Sequence, residues 1–241
     1  MPAALTLEHI TKTFRVDGGT FTALNDICFS LEERSCTVIG GANGSGKSLL
    51  MSIIAGLETP DSGKVLLSGN VGLVFQDADA QILGETPRED VAFGPINQKL
   101  PQTAVAEKTA AALAETGLSE KADFPSRFLS GGEKRRLAAA GILAMDSPIV
   151  IFDEPYANLD YGGVKQVNAL IRRLHKSSHT VVILTHELEK CLGMADRFIV
   201  LYRGAVVFDG TAQQGLMQPL ESWSIRNPLV QYTTAQDLLW E

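Results

Sequence analysis

Gly41-Ala42-Asn43-Gly44-Ser45-Gly46-Lys47-Ser48 constrains this chain more than any other stretch. It has the spacing Gly-x-x-x-x-Gly-Lys-Ser, follows the short apolar run 35–39 and precedes a helix-forming run at 48–57. Glycines at this spacing let a backbone wrap closely around phosphate oxygens, with N–H groups pointing inward at the positive end of the following helix. Gly41, Asn43, Gly44, Ser45 and Gly46 form the cradle on this reading. Lys47 is placed to reach β- and γ-phosphates, and the Ser48 hydroxyl to ligate Mg²⁺. The alternative is a glycine-rich turn with an incidental lysine, which the strand before and the helix after do not require. A strand–loop–helix of this kind belongs to α/β proteins.

The rest of the chain reads in blocks. Residues 5–10 alternate apolar and polar and predict a strand, Asp17-Gly18-Gly19 a turn, and 21–31 a second strand. Thr59-Pro60-Asp61-Ser62-Gly63 stops the helix at 48–57, and short strands follow at 64–67 and 71–75. Residues 88–147 carry little strand signal and are rich in Ala, Glu, Lys and Leu. Helices are expected at 103–116 and 130–145, the second capped by Ser130, so 77–145 is expected to be a helical insertion. Strand, helix, strand at 149–152, 164–176 and 180–184 predicts a parallel sheet, and 198–208 a terminal hairpin.

Two further motifs carry chemistry. Ile149-Val150-Ile151-Phe152-Asp153-Glu154 is an apolar run ending in two carboxylates. Acids at the C-terminal end of a parallel strand sit where open α/β sheets hold their ligands. Asp153 is placed to hold Mg²⁺ and Glu154 to orient and polarise an attacking water. The bland reading is a solvated pair opening a loop before Pro155. Leu129-Ser130-Gly131-Gly132-Glu133-Lys134-Arg135-Arg136 lies between the two sites in sequence; alone it is a glycine-containing turn opening a basic helix.

Phosphate loop, LSGG and apolar-run-plus-Asp-Glu, in that order, resemble the ATP-binding-cassette (ABC) ATPases over about residues 5–210. The resemblance implies an α/β fold: a P-loop NTPase (RecA-like) core with a parallel sheet, an N-terminal antiparallel β subdomain and an inserted helical subdomain. Its expected parts are a core of 1–76 and 146–215, a helical subdomain of 77–145 and a tail of 216–241. It implies ATP and Mg²⁺ as ligands, with Glu154, His186 and Gln76 catalytic and Ser48, Gln76 and Asp153 at the metal. Phe14 occupies the position of the ring that stacks on adenine, and Asp160 that of the aspartate that crosses a dimer interface. Ser130, Gly131 and Gly132 are implied to bind the γ-phosphate held by the phosphate loop of a second subunit, so that two ATP are sandwiched head to tail. Leu49, Ala42, Tyr156 and Glu133 depart from the commonest family residues, and none of these changes removes a catalytic group.

Val74-Phe75-Gln76-Asp77-Ala78-Asp79-Ala80-Gln81-Ile82-Leu83 and Glu89-Asp90-Val91-Ala92-Phe93-Gly94-Pro95 are similar to the ATPases of energy-coupling-factor transporters, which include cobalt, nickel and biotin uptake systems. Ala78 and Ala80 depart from that pattern. The resemblance implies an added helix in the acidic, glutamine-containing segment. It also implies three partners: a second ABC ATPase subunit, a transmembrane coupling protein and a substrate-capture membrane protein. The alternative is a non-transport ABC-type ATPase in a soluble assembly complex, against which the acidic 76–84 segment and Glu89–Pro95 weigh. A DNA-repair ATPase is disfavoured because it needs a long coiled coil where under 100 residues separate loop and signature, and a kinase has no need of LSGG.

Composition narrows the setting. The 241 residues carry a net charge of −7, which argues against general nucleic-acid binding. Three cysteines, Cys28, Cys36 and Cys191, show no metal spacing and suit a reducing compartment. The longest apolar run, 137–145, falls far short of the roughly 20 residues that cross a bilayer, and no signal-peptide pattern opens the chain. The expected place is the cytoplasmic face of a membrane, reached through a transmembrane partner. Residues 216–241, with Trp223 and Trp240, match no motif and read either as a subunit contact or as a helix covering the core, the second being the expectation.

Overall fold

A computed structural model describes residues 2–234; Trp240 lies outside the described residues. β1 (Ala3–Val16) and β2 (Gly19–Glu32) form a long antiparallel hairpin, β3 (Cys36–Gly40) enters the phosphate loop, and α1 (Lys47–Ile54) leaves it. β4 (Ser62–Leu67) returns to pair with β1, closing a three-stranded sheet of order β2-β1-β4. β5 (Val71–Val74) leads into α2 (Pro87–Asn97), α3 (Gln102–Thr116) and α4 (Gly131–Ala144). β6 (Ile149–Asp153), α5 (Tyr161–Lys176), β7 (Thr180–Thr185), β8 (Arg197–Tyr202), β9 (Ala205–Gly210) and α6 (Ala212–Leu216) complete the core. The larger sheet has the order β5-β6-β7-β3-β8-β9, parallel except for the β8–β9 pair.

The period-2 geometry of a strand explains why β6 is apolar at every position but its last. Ile149 and Ile151 face α1 residues Leu50, Ile53 and Ile54 together with Leu5, Leu7, Leu24 and Ile27 of the antiparallel sheet. Val150 and Phe152 face the other way, onto Ala138 and Ile142 of α4 and Val167, Leu170 and Ile171 of α5. Both faces are buried, and full burial of a side chain such as Phe152 contributes about 1.5–3 kcal/mol. A third cluster, Val91, Leu113, Leu118, Leu137 and Ala140, holds α2, α3 and α4 together. α4 therefore serves two cores, one on each side.

Several elements differ from the sequence expectation, each for a local reason. β1 and β2 run 14 residues apiece, longer than expected, because register shifts around Ile10 absorb irregular side-chain alternation. α1 stops at Ile54, and Gly56 with φ 72° terminates the turn that follows. α2 is a helix the sequence reading does not contain: Thr86 and Glu89 start it with a reciprocal capping box and Pro87 at the first helical position. The segment after α6 covers the core through buried Leu220 and Ile225, but as a 3₁₀ turn at Leu220–Trp223, because Pro219 and Pro228 interrupt any longer helix. Tyr156, at a position where the resembled family commonly has threonine, is wholly buried in the main core, and its hydroxyl donates to Asn168 Oδ1 at 2.8 Å.

Candidate active site

Strand order sets the site. Side by side, β5, β6, β7 and β3 end in Gln76, Asp153-Glu154, Thr185-His186 and the phosphate loop, all at the C-terminal edge of the sheet. Glycine is required at two loop positions. Gly46 has φ 103°, and a Cβ there would stand 2.7 Å from Leu24 Cδ2; at Gly41 a Cβ would meet the Leu201 carbonyl and Ser45 Oγ at 2.5 Å. α1 opens at Gly46 with no side-chain cap and no acid in its first turn, which leaves its amide end available to an external anion. The buried Ser45 hydroxyl lacks a partner in the same loop.

Lys47 Nζ is buried here, donating to the carbonyls of Gly41 (2.6 Å) and Ala42 (3.1 Å), and it lies 3.3 Å from Glu154 Oε1. Glu154 is gripped from β7 as well. Thr185 Oγ1 donates to its Oε2 at 2.9 Å, the His186 amide reaches the same oxygen at 3.4 Å, and His186 Nδ1 lies 3.0 Å from Oε1. Its backbone has φ 43°, a left-handed conformation that side-chain-bearing residues adopt at a cost and that clusters at functional positions. Ser48 Oγ donates to Asp153 Oδ1 at 3.4 Å. A hydroxyl beside a carboxylate is a hard oxygen donor set, the kind that suits Mg²⁺. A cavity of about 350 Å³ lies over the loop, lined by Asn43, Gly44, Lys47, Ser48, Gln76, Glu154 and His186 among others.

Burial raises the Asp153 carboxyl above its ordinary value; the Ser48 hydroxyl opposes this, Glu154 adds to it and Lys47 opposes it. An acid with a raised folded-state value holds its proton longer in the folded chain than in the unfolded one. Stability therefore falls as pH rises upward from the ordinary value of 3.8, and the cost persists at neutrality. Asp153→Asn is expected to raise the melting temperature of the metal-free chain at pH 7, with the gain vanishing at and below pH 3.8. About 1 kcal/mol corresponds to about 2–4 °C for a chain of this size. Melting curves at both pH values check it, and a variant less stable than the parent at pH 7 would refute the assignment.

Two implied site groups lie elsewhere. None of Ser130, Gly131, Gly132 or Asp160 lines the phosphate cavity. Ser130 caps α4: its Oγ accepts from the Glu133 amide at 3.4 Å, and Glu133 Oε2 accepts from the Ser130 amide at 2.9 Å. This capping box, with a 2.6 Å contact to Lys121 Nζ, gives a carboxylate at position 133 its own use. Partial burial pushes the Glu133 carboxyl up, but Lys121 and the Ser130 amide outweigh it and hold it below the usual range. Asp160 caps α5, its Oδ1 accepting from the Gly163 amide at 2.7 Å. The ends of α4 and α5 touch, since a Cβ on Gly131 would meet Leu159 and one on Gly132 would meet Gln166 and Gly163. Phe14 does not line the cavity either. Its cross-strand partner Phe21 does, more exposed than Phe14, and directly opposed residues share one face of the hairpin.

A family model described as ABC transporter matches residues 24–157. The chain is 38% identical to the energy-coupling factor transporter ATP-binding protein EcfA of Carboxydothermus hydrogenoformans, covering 91% of this chain and 89% of the relative. It belongs to the ATP-binding subunits of ABC transporters, of the energy-coupling-factor type. It is 36% identical to the cobalt import ATP-binding protein CbiO of Rhodobacter capsulatus, over 95% of this chain and 87% of that one. Among solved structures, CbiO1 of Clostridium perfringens, part of the ABC transporter complex CbiONQ, superposes with a TM-score of 0.82 at 31% identity, over 90% and 92% of the two chains. A dimeric post-hydrolysis state of the ATP-binding cassette MJ0796, bound to ADP and Pi, superposes at 0.75 with 26% identity, over 86% and 98%. The chain is accordingly an ATPase whose hydrolysis is coupled to transport, with the fold the resemblance implied.

One implied feature of this ABC subunit differs. The acidic segment after β5 forms a single 3₁₀ turn, Asp79–Gln81, rather than a full added helix. Gln81 is spent on the sheet edge, with Oε1 accepting from the Phe75 amide at 3.1 Å and Nε2 donating to the Leu73 carbonyl at 2.8 Å. Asp79 is paired with Lys134 of α4. Three residues near the site escaped sequence reading: Phe21, Thr185 and Arg135. Thr185 lies one residue past the strand expected at 180–184 and closes β7 in the structure. Arg135, buried on α4, donates to the Gln76 carbonyl at 3.3 Å and the Ala157 carbonyl at 2.6 Å. It therefore ties the signature helix to the loops after β5 and β6, and burial lowers its pKa against the pull of Asp77. Its position two residues past Gly-Gly-Glu was the only sequence signal, and a basic helix face is ordinarily solvated.

Proposed function

We propose that this subunit pairs with a second ABC ATPase subunit around two ATP molecules and drives uptake of a vitamin or a transition-metal ion through a membrane partner. The observation that carries the catalytic part is the convergence of Lys47, Thr185 and His186 on Glu154, next to the Ser48–Asp153 pair. Asn43, Gly44, Ser45 and Gly46 supply amides and close approach for phosphate oxygens, with Gly41 setting the loop's entry. Lys47 turns from the Gly41 and Ala42 carbonyls toward the terminal phosphates. Ser48 and Asp153, with Gln76 from the cavity wall, would hold Mg²⁺, which would supply charge neutralisation to the phosphates. Glu154 accepts a proton from the attacking water, and His186, through Nδ1, holds that carboxylate and water in line. Positioning and charge neutralisation supply most of the acceleration in phosphoryl transfer.

The base rests against the hairpin aromatics, with Phe14 and the more exposed Phe21 offering one face. Ser130, Gly131 and Gly132 close the site of the other subunit, consistent with their absence from the lining of this chain's own cavity. Asp160 sits at the same interface, at the N-terminus of α5. The transmembrane coupling protein docks near α2, where Phe93 and Ile96 share a face and are exposed together with Leu83. A substrate-capture membrane protein completes the assembly at the cytoplasmic face of the membrane. No described helix is long and apolar enough to cross a membrane.

Affinity purification of the tagged chain from detergent-solubilised membranes of its source tests this reading. A polytopic membrane protein is expected to co-purify, and ATPase activity is expected in the complex. Recovery of the chain solely in a soluble assembly would overturn the membrane partners proposed here.

A further inference from the structure

His9, Asp26 and Cys28 sit together on the β1–β2 hairpin, well apart in function from the nucleotide site, and nothing in the ATPase chemistry uses them. His9 Nδ1 lies 2.6 Å from Asp26 Oδ1 and 3.4 Å from Cys28 Sγ, and Sγ lies 4.0 Å from Oδ1. All three side chains are exposed. We propose that they form a surface site for one late first-row divalent cation, such as Co²⁺ or Zn²⁺, with water completing a tetrahedron.

The donor set argues for that class. Imidazole, thiolate and carboxylate together suit zinc, cobalt and nickel, whereas Mg²⁺ takes oxygen ligands. The spacing argues likewise. Metal–ligand lengths of about 2.0–2.3 Å in a tetrahedron place neighbouring ligand atoms about 3.3–3.6 Å apart. The sulfur–nitrogen distance already matches this, and the sulfur–oxygen distance is within half an ångström of it. The nitrogen–oxygen distance is that of a shared proton, and exchanging the proton for an ion opens it by about 0.7 Å.

The backbone holds the three donors together before any ion arrives. His9 and Asp26 both have φ 53°, at the irregular stretch of the β1–β2 register where a regular strand would turn them apart. The Asp26 amide is held by Thr11 Oγ1 at 3.2 Å, and the His9 amide donates to Cys28 Sγ at 3.1 Å. A surface His–Asp pair accounts for the shortest of these contacts. It does not account for a thiol drawn to the same nitrogen while accepting a backbone N–H.

Co²⁺ titration of the reduced, full-length, nucleotide-free chain tests the site by thiolate-to-cobalt charge-transfer absorption. Cys36 and Cys191 are buried, and burial pushes both thiols up, Cys36 to about 12, so such a band reports Cys28. The band is expected to saturate at one ion per chain and to bleach on adding Zn²⁺. It should vanish in Cys28→Ser, and His9→Ala and Asp26→Asn should each weaken Co²⁺ binding at least about tenfold. Absence of the band at saturating cobalt, its survival in Cys28→Ser, or parental affinity in His9→Ala or Asp26→Asn would each overturn the proposal. All three residues are exposed, and a parental melting temperature in each variant separates loss of the site from loss of folding.

Discussion

Glu154→Gln is expected to bind ATP as the parent does while losing at least about a hundredfold in turnover, the usual size of a general-base contribution. The amide keeps the shape of the carboxylate, so Thr185 Oγ1 can still donate to the side-chain oxygen it now meets at 2.9 Å. What disappears is the group that takes a proton from water. The change also frees Lys47 from its 3.3 Å anionic neighbour, leaving a buried ammonium with more to gain from phosphate. Binding should therefore hold or tighten while hydrolysis stops, and ATP should accumulate at closed sites. Size-exclusion chromatography with ATP is expected to show a stable dimer in the variant, and equilibrium nucleotide binding should match or exceed the parent. Hydrolysis near the parental rate would remove Glu154 from the role of base.

The parts legible in the sequence were those where backbone requirement and chemistry coincide. Gly41 and Gly46 accept no Cβ, so the phosphate loop is written in its glycines. β6 is buried on both faces, so it reads as an unbroken apolar run that points directly at Asp153 and Glu154. Residues whose role depends on strand order were harder to read. Thr185 grips Glu154 only because β7 lies beside β6, a neighbour relation that period-2 patterning cannot express. Phe14 was legible by position, yet the hairpin register sets Phe21 opposite it, and it is Phe21 that lines the cavity. Arg135 reads as part of a basic helix face, because its two carbonyl partners lie 59 and 22 residues away. The acidic segment looked helical by resemblance, but Gln81 hydrogen-bonds to the edge of β5, which limits it to one turn.

Sharing of each site between subunits leads to a complementation result of comparable size. Lys47→Ala removes the phosphate-reaching ammonium and should abolish measurable hydrolysis. Ser130→Asp is chosen because aspartate caps a helix about as well as serine, so α4 keeps its N-terminus while a carboxylate meets the incoming phosphate. Each variant alone is expected to be inactive, for in a homodimer both sites carry the lesion. If the signature acts across a two-fold dimer, a mixed dimer has one site with both lesions and one with neither. Random pairing makes half the dimers mixed, so about a quarter of all sites should be intact after mixing. The regained rate should rise with the mixed fraction and disappear when subunits are prevented from exchanging. If Ser130 instead served the phosphate loop of its own chain, every site in every dimer would carry one lesion, and mixing would restore nothing. The absence of Ser130, Gly131 and Gly132 from the cavity over Lys47 favours recovery.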